Sequence, residues 1–195
     1  MAIGPIIHKE ATQLELCNYP PIICVSGKIA SGKTYISKAI AERTIGTRHS
    51  TSDYLRYVLS ITGIMNPSRK QLQQQGESEI KKGWSLFASS FLNYLSFSSV
   101  ENITIIDGVR HLEFFHAIKA LVYPQKCLLI YLDIPDNIIQ QRLCERDEGK
   151  IVYDHIAEGN LQELKNSADY ISNGDIDEIE EYIKKLSLIY SPSLS

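Results

Sequence analysis

The sequence predicts an α/β fold in three layers, a mostly parallel five-stranded sheet with helices on both faces. Three observations lead there. Continuous apolar runs at 21–26, 103–107 and 127–132 have the character of strands buried on both faces, as in the middle of a parallel sheet. The segments between them carry apolar residues at helical spacing, so strands and helices alternate along the chain. A glycine-containing stretch joins the first strand directly to the first helix.

Taken in order, Pro-Ile-Ile-Cys-Val-Ser at 21–26 is short, apolar and β-rich, which predicts the first strand. Beyond the glycines, Ile36, Ala39, Ile40 and Arg43 recur at helical spacing, and a second strand is expected near 48–52. Residues 67–95 begin polar, with Arg69, Lys70, Gln71, Gln73, Gln74 and Gln75. They end apolar, with Leu86, Phe87, Phe91, Leu92 and Leu95, a pattern that predicts helices inserted between the second and third strands. The third strand, 103–107, leads to a helix over 111–121 with Leu112, Phe115, Ile118 and Leu121 as its stripe. Strands at 127–132 and 169–173 follow. The last helix carries Ile176, Ile179, Ile183 and Leu186 on one face and the pairs Glu180/Lys184 and Glu181/Lys185 on the other, an ordinary covering helix.

A chain of 195 residues, 44% of them hydrophobic, suits one domain with a sizeable core. Twenty Lys and Arg against 23 Asp and Glu give no charge surplus that would call for a nucleic-acid polymer or a membrane surface. There is no apolar run of spanning length and no export signal pattern, so a cytoplasmic location is expected. Cys17, Cys24, Cys127 and Cys144 form no CxxC pair and are expected to be buried thiols. The five histidines show no zinc-ligand spacing, and no G-x-S-x-G nucleophile turn is present.

Gly27, Lys28, Ile29, Ala30, Ser31, Gly32, Lys33 and Thr34 fit the pattern G-x-x-x-x-G-K-[ST]. They lie where its mechanism requires, between an apolar strand and an amphipathic helix. Glycines let the backbone wrap a polyphosphate so that N–H groups and the helix N-terminus point at the anion. Lys33 would then reach the β- and γ-phosphates and the Thr34 hydroxyl would ligate Mg²⁺. Asp107 closes the third apolar run in the manner of a Walker B acid and is the second expected Mg²⁺ contact, through water. Gly108 lets the chain turn over the site, and Arg110 is placed to grip a phosphate.

With the phosphate loop, further short motifs resemble the nucleoside monophosphate kinases, above all the small phage-type deoxynucleoside monophosphate kinases, and the related dephospho-coenzyme A kinases. These motifs are Ser52-Asp53-Tyr54-Leu55-Arg56, Arg69 with Leu72, Gln73 and Gly76, Asp107 to Arg110, Arg142 with Arg146, and the stretch 168–173. The resemblance implies a P-loop NTPase fold that uses ATP and Mg²⁺, with a (deoxy)nucleoside monophosphate as the small-molecule acceptor. It places Asp53, Arg56, Arg69, Gln73 and Arg110 on the acceptor, with Asp53 orienting the attacking group. It gives Lys33, Asp53, Arg110, Arg142 and Arg146 to catalysis and the loop at Asn173 to the adenine. Arg142 and Arg146 fall at i,i+4 on one helix face leading into a short lid.

The expected layout is a single kinase domain over 1–195, its core about 21–190, a helical acceptor-binding insert about 53–98 and a lid about 142–158; residues 1–19 are unassigned. Asp-Gly-Val-Arg at 107–110 differs from the Asp-Gly-Phe-Pro-Arg of adenylate kinases, and Ser52 replaces the first acid of the Asp-x-Asp usual in dephospho-coenzyme A kinases. Dephospho-coenzyme A or another small acceptor, a nucleotide-dependent regulatory switch without a small-molecule acceptor, and a homodimer stay open.

Overall fold

The computed structural model describes residues 21–44, 46–95, 103–145 and 155–190. Its centre is β1 (Ile22–Gly27), buried along its whole length because neighbours flank it on both edges. The other strands are β2 (Thr47–Ser50), β3 (Thr104–Asp107), β4 (Cys127–Leu132) and β5 (Tyr170–Ser172), in the order β2-β3-β1-β4-β5. Every pairing is parallel, which sharpens the expectation of a mostly parallel sheet to an all-parallel one.

Alternation along β1 divides the core in two. Ile23 and Val25 face α1 (Lys33–Thr44), α6 (Asp136–Glu145) and α8 (Ile176–Tyr190), packing with Ile36, Ile40, Ile139 and Ile179. Ile22 and Cys24 face the opposite layer of α2 (Thr51–Ile61), α4 (Trp84–Leu95), α5 (Leu112–Leu121) and α7 (His155–Asn166), packing with Tyr54, Phe91, Phe115 and Leu164. Period-2 burial in the strand thus builds three layers. The insert between β2 and β3 consists of α2, α3 (Arg69–Lys81) and α4. It is joined to α5 by an aromatic cluster in which Phe87 stacks on Phe114 at 4.5 Å and Tyr54 meets Phe91 edge-on at 5.7 Å.

Local chemistry moves two expected boundaries. The second strand stops at Ser50 because the Ser50 hydroxyl accepts the Asp53 N–H at 3.0 Å and caps α2, so Thr51 and Ser52 are helical. The fifth strand starts at Tyr170 because Asp169 spends its groups on Leu129: its carboxylate accepts the Leu129 N–H at 2.7 Å and its own N–H bonds the Leu129 carbonyl at 2.9 Å. α3 opens with a capping box between Ser68 and Gln71. Cys24 and Cys127 are buried, with Sγ atoms 3.8 Å apart, but Cys144 is exposed on α6, against expectation, because it lies beside rather than on the stripe of Ile139 and Leu143. Cys17 lies outside the described residues. Among the described residues no helix is long and apolar enough to cross a membrane.

The register fixes where chemistry can occur. Val25 and Ser50 both align with Asp107, and Gly27 aligns with Leu132. The carboxyl ends of four strands therefore open onto one crevice, and the chain leaves β1 and β3 toward opposite faces of the sheet. Open α/β sheets form ligand sites at such a switch point.

Candidate functional site

The loop after β1 is held in a shape that glycine permits. Gly27 has φ of 145° and Gly32 of 92°, while Ala30 takes the left-handed region at 57°. A Cβ on Gly27 would lie 2.8 Å from the Leu132 carbonyl oxygen and 2.9 Å from Ser31 Oγ, closer than real contacts. Ser31 donates its N–H to the Lys28 carbonyl at 3.2 Å, and its buried Oγ has no hydrogen-bond partner. The loop then enters α1 at Lys33.

Lys33 marks what this loop is built to hold. Its Nζ donates to the carbonyls of Gly27, at 2.8 Å, and Lys28, at 2.6 Å, both neutral. Burial pushes its pKa down from 10.5 to about 8, the nearby charge of Arg110 pushes the same way, and Asp107 opposes them. A partly buried ammonium held only by carbonyl oxygens favours an incoming anion. The glycine-shaped backbone, the orphaned Ser31 hydroxyl and this cation fit a polyphosphate. Thr34 follows on the exposed side of α1.

Asp107 is buried at the end of β3, and its Oδ2 accepts from Arg48 Nη2 at 2.6 Å, leaving Oδ1 outside that pair. The Thr34 hydroxyl and a single carboxylate are hard oxygen donors of the kind Mg²⁺ uses when phosphate oxygens complete its shell. Around Asp107, Gly108 donates its N–H to the Val25 carbonyl at 3.2 Å and the Ser26 hydroxyl donates to the Val109 carbonyl at 2.7 Å. These bonds fasten the turn that carries Arg110 to the central strand.

Beyond Asp107 lies a set of charges from four segments. Asp53, in the first turn of α2, lies 3.6 Å from Arg56 Nη1 and 3.8 Å from Arg48 Nη1. Arg110 is exposed at the mouth of the crevice, with protein packed around its base. That packing lowers its pKa first, the like charge of Arg69 on α3 lowers it further, and Asp107 opposes. Lys33 thus feels the charge of Arg110, and Arg110 that of Arg69, so the three cations are near neighbours between the phosphate loop and the insert. Gln73 is exposed on α3, where its Nε2 donates to Glu77 at 3.4 Å.

On the other flank of the loop, Arg142 reaches back from α6 and its Nη1 donates to the Ala30 carbonyl at 3.2 Å. The same nitrogen would lie 3.4 Å from a Cβ on Gly32. Arg146 falls outside the described residues, as does the middle of the expected lid. A cavity of about 350 Å³ is lined by Ser31, Tyr35, Ile134, Arg142, Glu145 and Asn173 among others. It is of a size for a planar ring system. Asn173 thus shares a pocket with the phosphate loop, and its Oδ1 accepts the Asp175 N–H at 2.9 Å to hold the turn after β5.

Sequence reasoning passed over Arg48, Tyr35, Ile134 and Glu145. For Arg48 a signal existed: a charged residue two positions before Ser50 points to the same side of β2, so it was directed toward the strand end that carries Asp107. The other three meet only because α1, α6 and the turn after β4 converge.

Fold and site together define a phosphate-loop nucleotide-binding protein of the α/β class. A family model described as an AAA domain matches residues 23–167, and the chain belongs to that family. Solved structures with this fold include a provisional kinase from Chloroflexus aurantiacus, 15% identical, with 89% of this chain and 99% of that one covered and a TM-score of 0.58. A gluconokinase from Sinorhizobium meliloti is 14% identical over 89% of this chain and 95% of that one, with a TM-score of 0.52. A shikimate kinase from Acinetobacter baumannii, in complex with shikimate, is 18% identical over 93% and 99%, with a TM-score of 0.51. At these identities the likeness is one of fold. No curated protein sequence matches the chain.

Proposed function

We propose that the chain is an Mg·ATP-dependent phosphotransferase that moves the γ-phosphoryl group to a nucleoside or deoxynucleoside monophosphate. The observation that carries this reading is the neighbouring cations Lys33, Arg110 and Arg69, beside a loop shaped for phosphate. Each of the first two is depressed partly by the charge of the next, and Asp107, the buried acid among them, is already paired with Arg48. Such a surplus calls for two anions side by side, a polyphosphate on the loop and a phosphate-bearing acceptor beyond it. A neutral alcohol acceptor would leave Arg69 and Arg110 without a shared purpose.

ATP on the loop would supply the phosphoryl group, and Mg²⁺, held by Thr34 and Asp107, would offset charge on its phosphate oxygens. The chain's own residues do the rest by position. Lys33 exchanges its two carbonyl acceptors for phosphate oxygen. Arg110 and Arg69 hold the acceptor's phosphate, with Arg56 at the rim. Asp53 orients the attacking oxygen in line, and no covalent enzyme intermediate is required. Arg142 covers the loop and, with Arg146, keeps water from the transferred group. The cavity beside Asn173 takes the adenine. In this scheme the chain is one kinase domain, with 53–98 as acceptor-binding insert and 142–158 as lid.

The test is ADP release from Mg·ATP with each ribo- and deoxyribonucleoside monophosphate, with dephospho-coenzyme A, and with no acceptor. Acceleration by one monophosphate of about a hundredfold is the expected result, the scale set by completing an electrostatic transfer site. A second reading, transfer to dephospho-coenzyme A or another small alcohol, is favoured by one observation: a solved protein of this fold is named a shikimate kinase. Acceleration by those acceptors alone would replace the first reading. ATP hydrolysis indifferent to every acceptor would replace both with a nucleotide-dependent switch.

A further inference from the structure

One arginine in the crevice belongs neither to the phosphate loop nor to the group formed by Lys33, Arg110 and Arg69. Arg48 sits in β2, and its side chain is only 20% exposed. Its two terminal nitrogens face different acids: Nη2 donates a hydrogen bond to Asp107 Oδ2 at 2.6 Å, and Nη1 lies within ion-pair range of Asp53 Oδ2 at 3.8 Å. Its Nε is buried and has no hydrogen-bond partner. A buried donor left unmade is disfavoured, and groups kept in that state call for an explanation beyond packing.

The geometry supplies one. A guanidinium is planar and rigid, so one anchored by a hydrogen bond to Asp107 presents its other terminal nitrogen toward Asp53 in a set direction. Asp107 stands at the donor end, close enough to Lys33 to raise its pKa, and Asp53 stands at the acceptor end beside Arg56. β2 lies next to β3 in register, with Ser50 opposite Asp107, and Ser50 also caps the helix that carries Asp53. Strand, cap and arginine thus tie the same two acids together.

We propose that Arg48 is a positioning residue for the transfer reaction, its guanidinium fixing the acceptor-orienting carboxylate of Asp53 relative to the strand-end carboxylate of Asp107. The proposal rests on the phosphotransferase reading. It differs from a purely structural role in one consequence: a lysine at this position could keep one ion pair as a point charge but could not hold both acids in a fixed fork.

The experiment compares wild type with Arg48→Lys, Asp53→Asn and the double variant, using the acceptor that the panel identifies in wild type. Transfer kinetics are paired with titration of a fluorescent ADP analogue and with thermal melts. Arg48→Lys is expected to lower kcat roughly tenfold or more while the ADP analogue binds within about threefold of wild type. The double variant is expected to be no slower than the slower single, because the two residues act as one unit. In Arg48→Ala, added guanidinium ion should restore part of the lost kcat with no rise in the melting temperature, whereas restored stability would mark a merely structural role.

Wild-type kcat in Arg48→Lys, or losses that multiply in the double variant, would overturn the proposal and leave the phosphotransferase reading standing. ADP-analogue binding that weakens in step with kcat would also overturn it, making Arg48 part of the donor site's framework. Failure of wild type to transfer to any acceptor removes both. If Arg48→Lys does not melt cooperatively, Arg48→Gln takes its place under the same expectations, and wild-type kcat there would overturn the proposal.

Discussion

The two ends of the crevice are built differently. The phosphate-loop end is eight consecutive residues whose geometry is set by backbone: positive φ at Gly27, Ala30 and Gly32, and carbonyls that hold Lys33 in place. The other end, which we propose takes the acceptor, is made of side chains from segments far apart in the chain, Arg48 on β2, Asp53 and Arg56 on α2, Arg69 on α3 and Arg110 after β3. A backbone-built site tolerates almost no change at its key positions and varies little in what it binds. A side-chain-built site can change its ligand by exchanging residues while the sheet stays the same.

The contrast can be broken first at Lys33. Lys33→Ala should lower turnover roughly a thousandfold or more, since it removes the cation aimed at the transferred group, and a coupled assay of ADP release measures this. Gly27→Ala probes the backbone itself. With φ at 145° and the new Cβ 2.8 Å from the Leu132 carbonyl, it should cost about 2–4 kcal/mol in urea unfolding and lose ADP binding as well. Binding that survives would mean the loop is less tightly specified than its contacts indicate.

Arg110→Ala addresses the other end. It should lower acceptor kcat/KM by about 10- to 100-fold, the scale of one charge-assisted contact, with ADP binding retained. An equal loss of ADP binding would show that the two ends are not separable at this residue.

The depressed pKa of Lys33 gives a subtler test. Its folded value of about 8 lies below the ordinary 10.5, so between those pH values the unfolded chain binds more protons, and this group's contribution to stability rises with pH across that window. Bound phosphates favour the charged form, so ADP binding near pH 8.5 to 9 should take up part of a proton, about half or more. Calorimetry in buffers of different ionisation heat measures that uptake, and no uptake would move the anion away from Lys33. The smallest effect belongs to Asn173→Ala. Its side chain holds a turn, so the Michaelis constant for ATP should change less than about threefold, the order of one exposed hydrogen bond.

Much of the fold was legible in the sequence because its signals are local. Ile23, Cys24 and Val25 announce a strand buried on both faces, and the glycines and Lys33 announce a phosphate loop wherever they follow such a strand. The boundary at Ser50 was missed because its capping hydroxyl competes with the strand pattern of its neighbours, and Asp169 was misplaced because its carboxylate replaces a backbone partner. Exposure of Cys144 was missed for a similar reason. Its composition suggests burial, and only the packing of Ile139 and Leu143 shows which face of α6 is covered.

By itself, then, the sequence determined the alternation of strands and helices, the all-important loop at 27–34 and the acid at the end of β3, because each depends on residues adjacent in the chain. Tertiary structure alone decided that the strands run in the order β2-β3-β1-β4-β5, that Arg48 is shared between Asp107 and Asp53, and that Ile134, Glu145 and Asn173 close a cavity beside the loop. The physical reason is register. Side chains from distant segments meet only after strand order and alignment are set, and those come from the packing of two whole core layers, not from any local pattern.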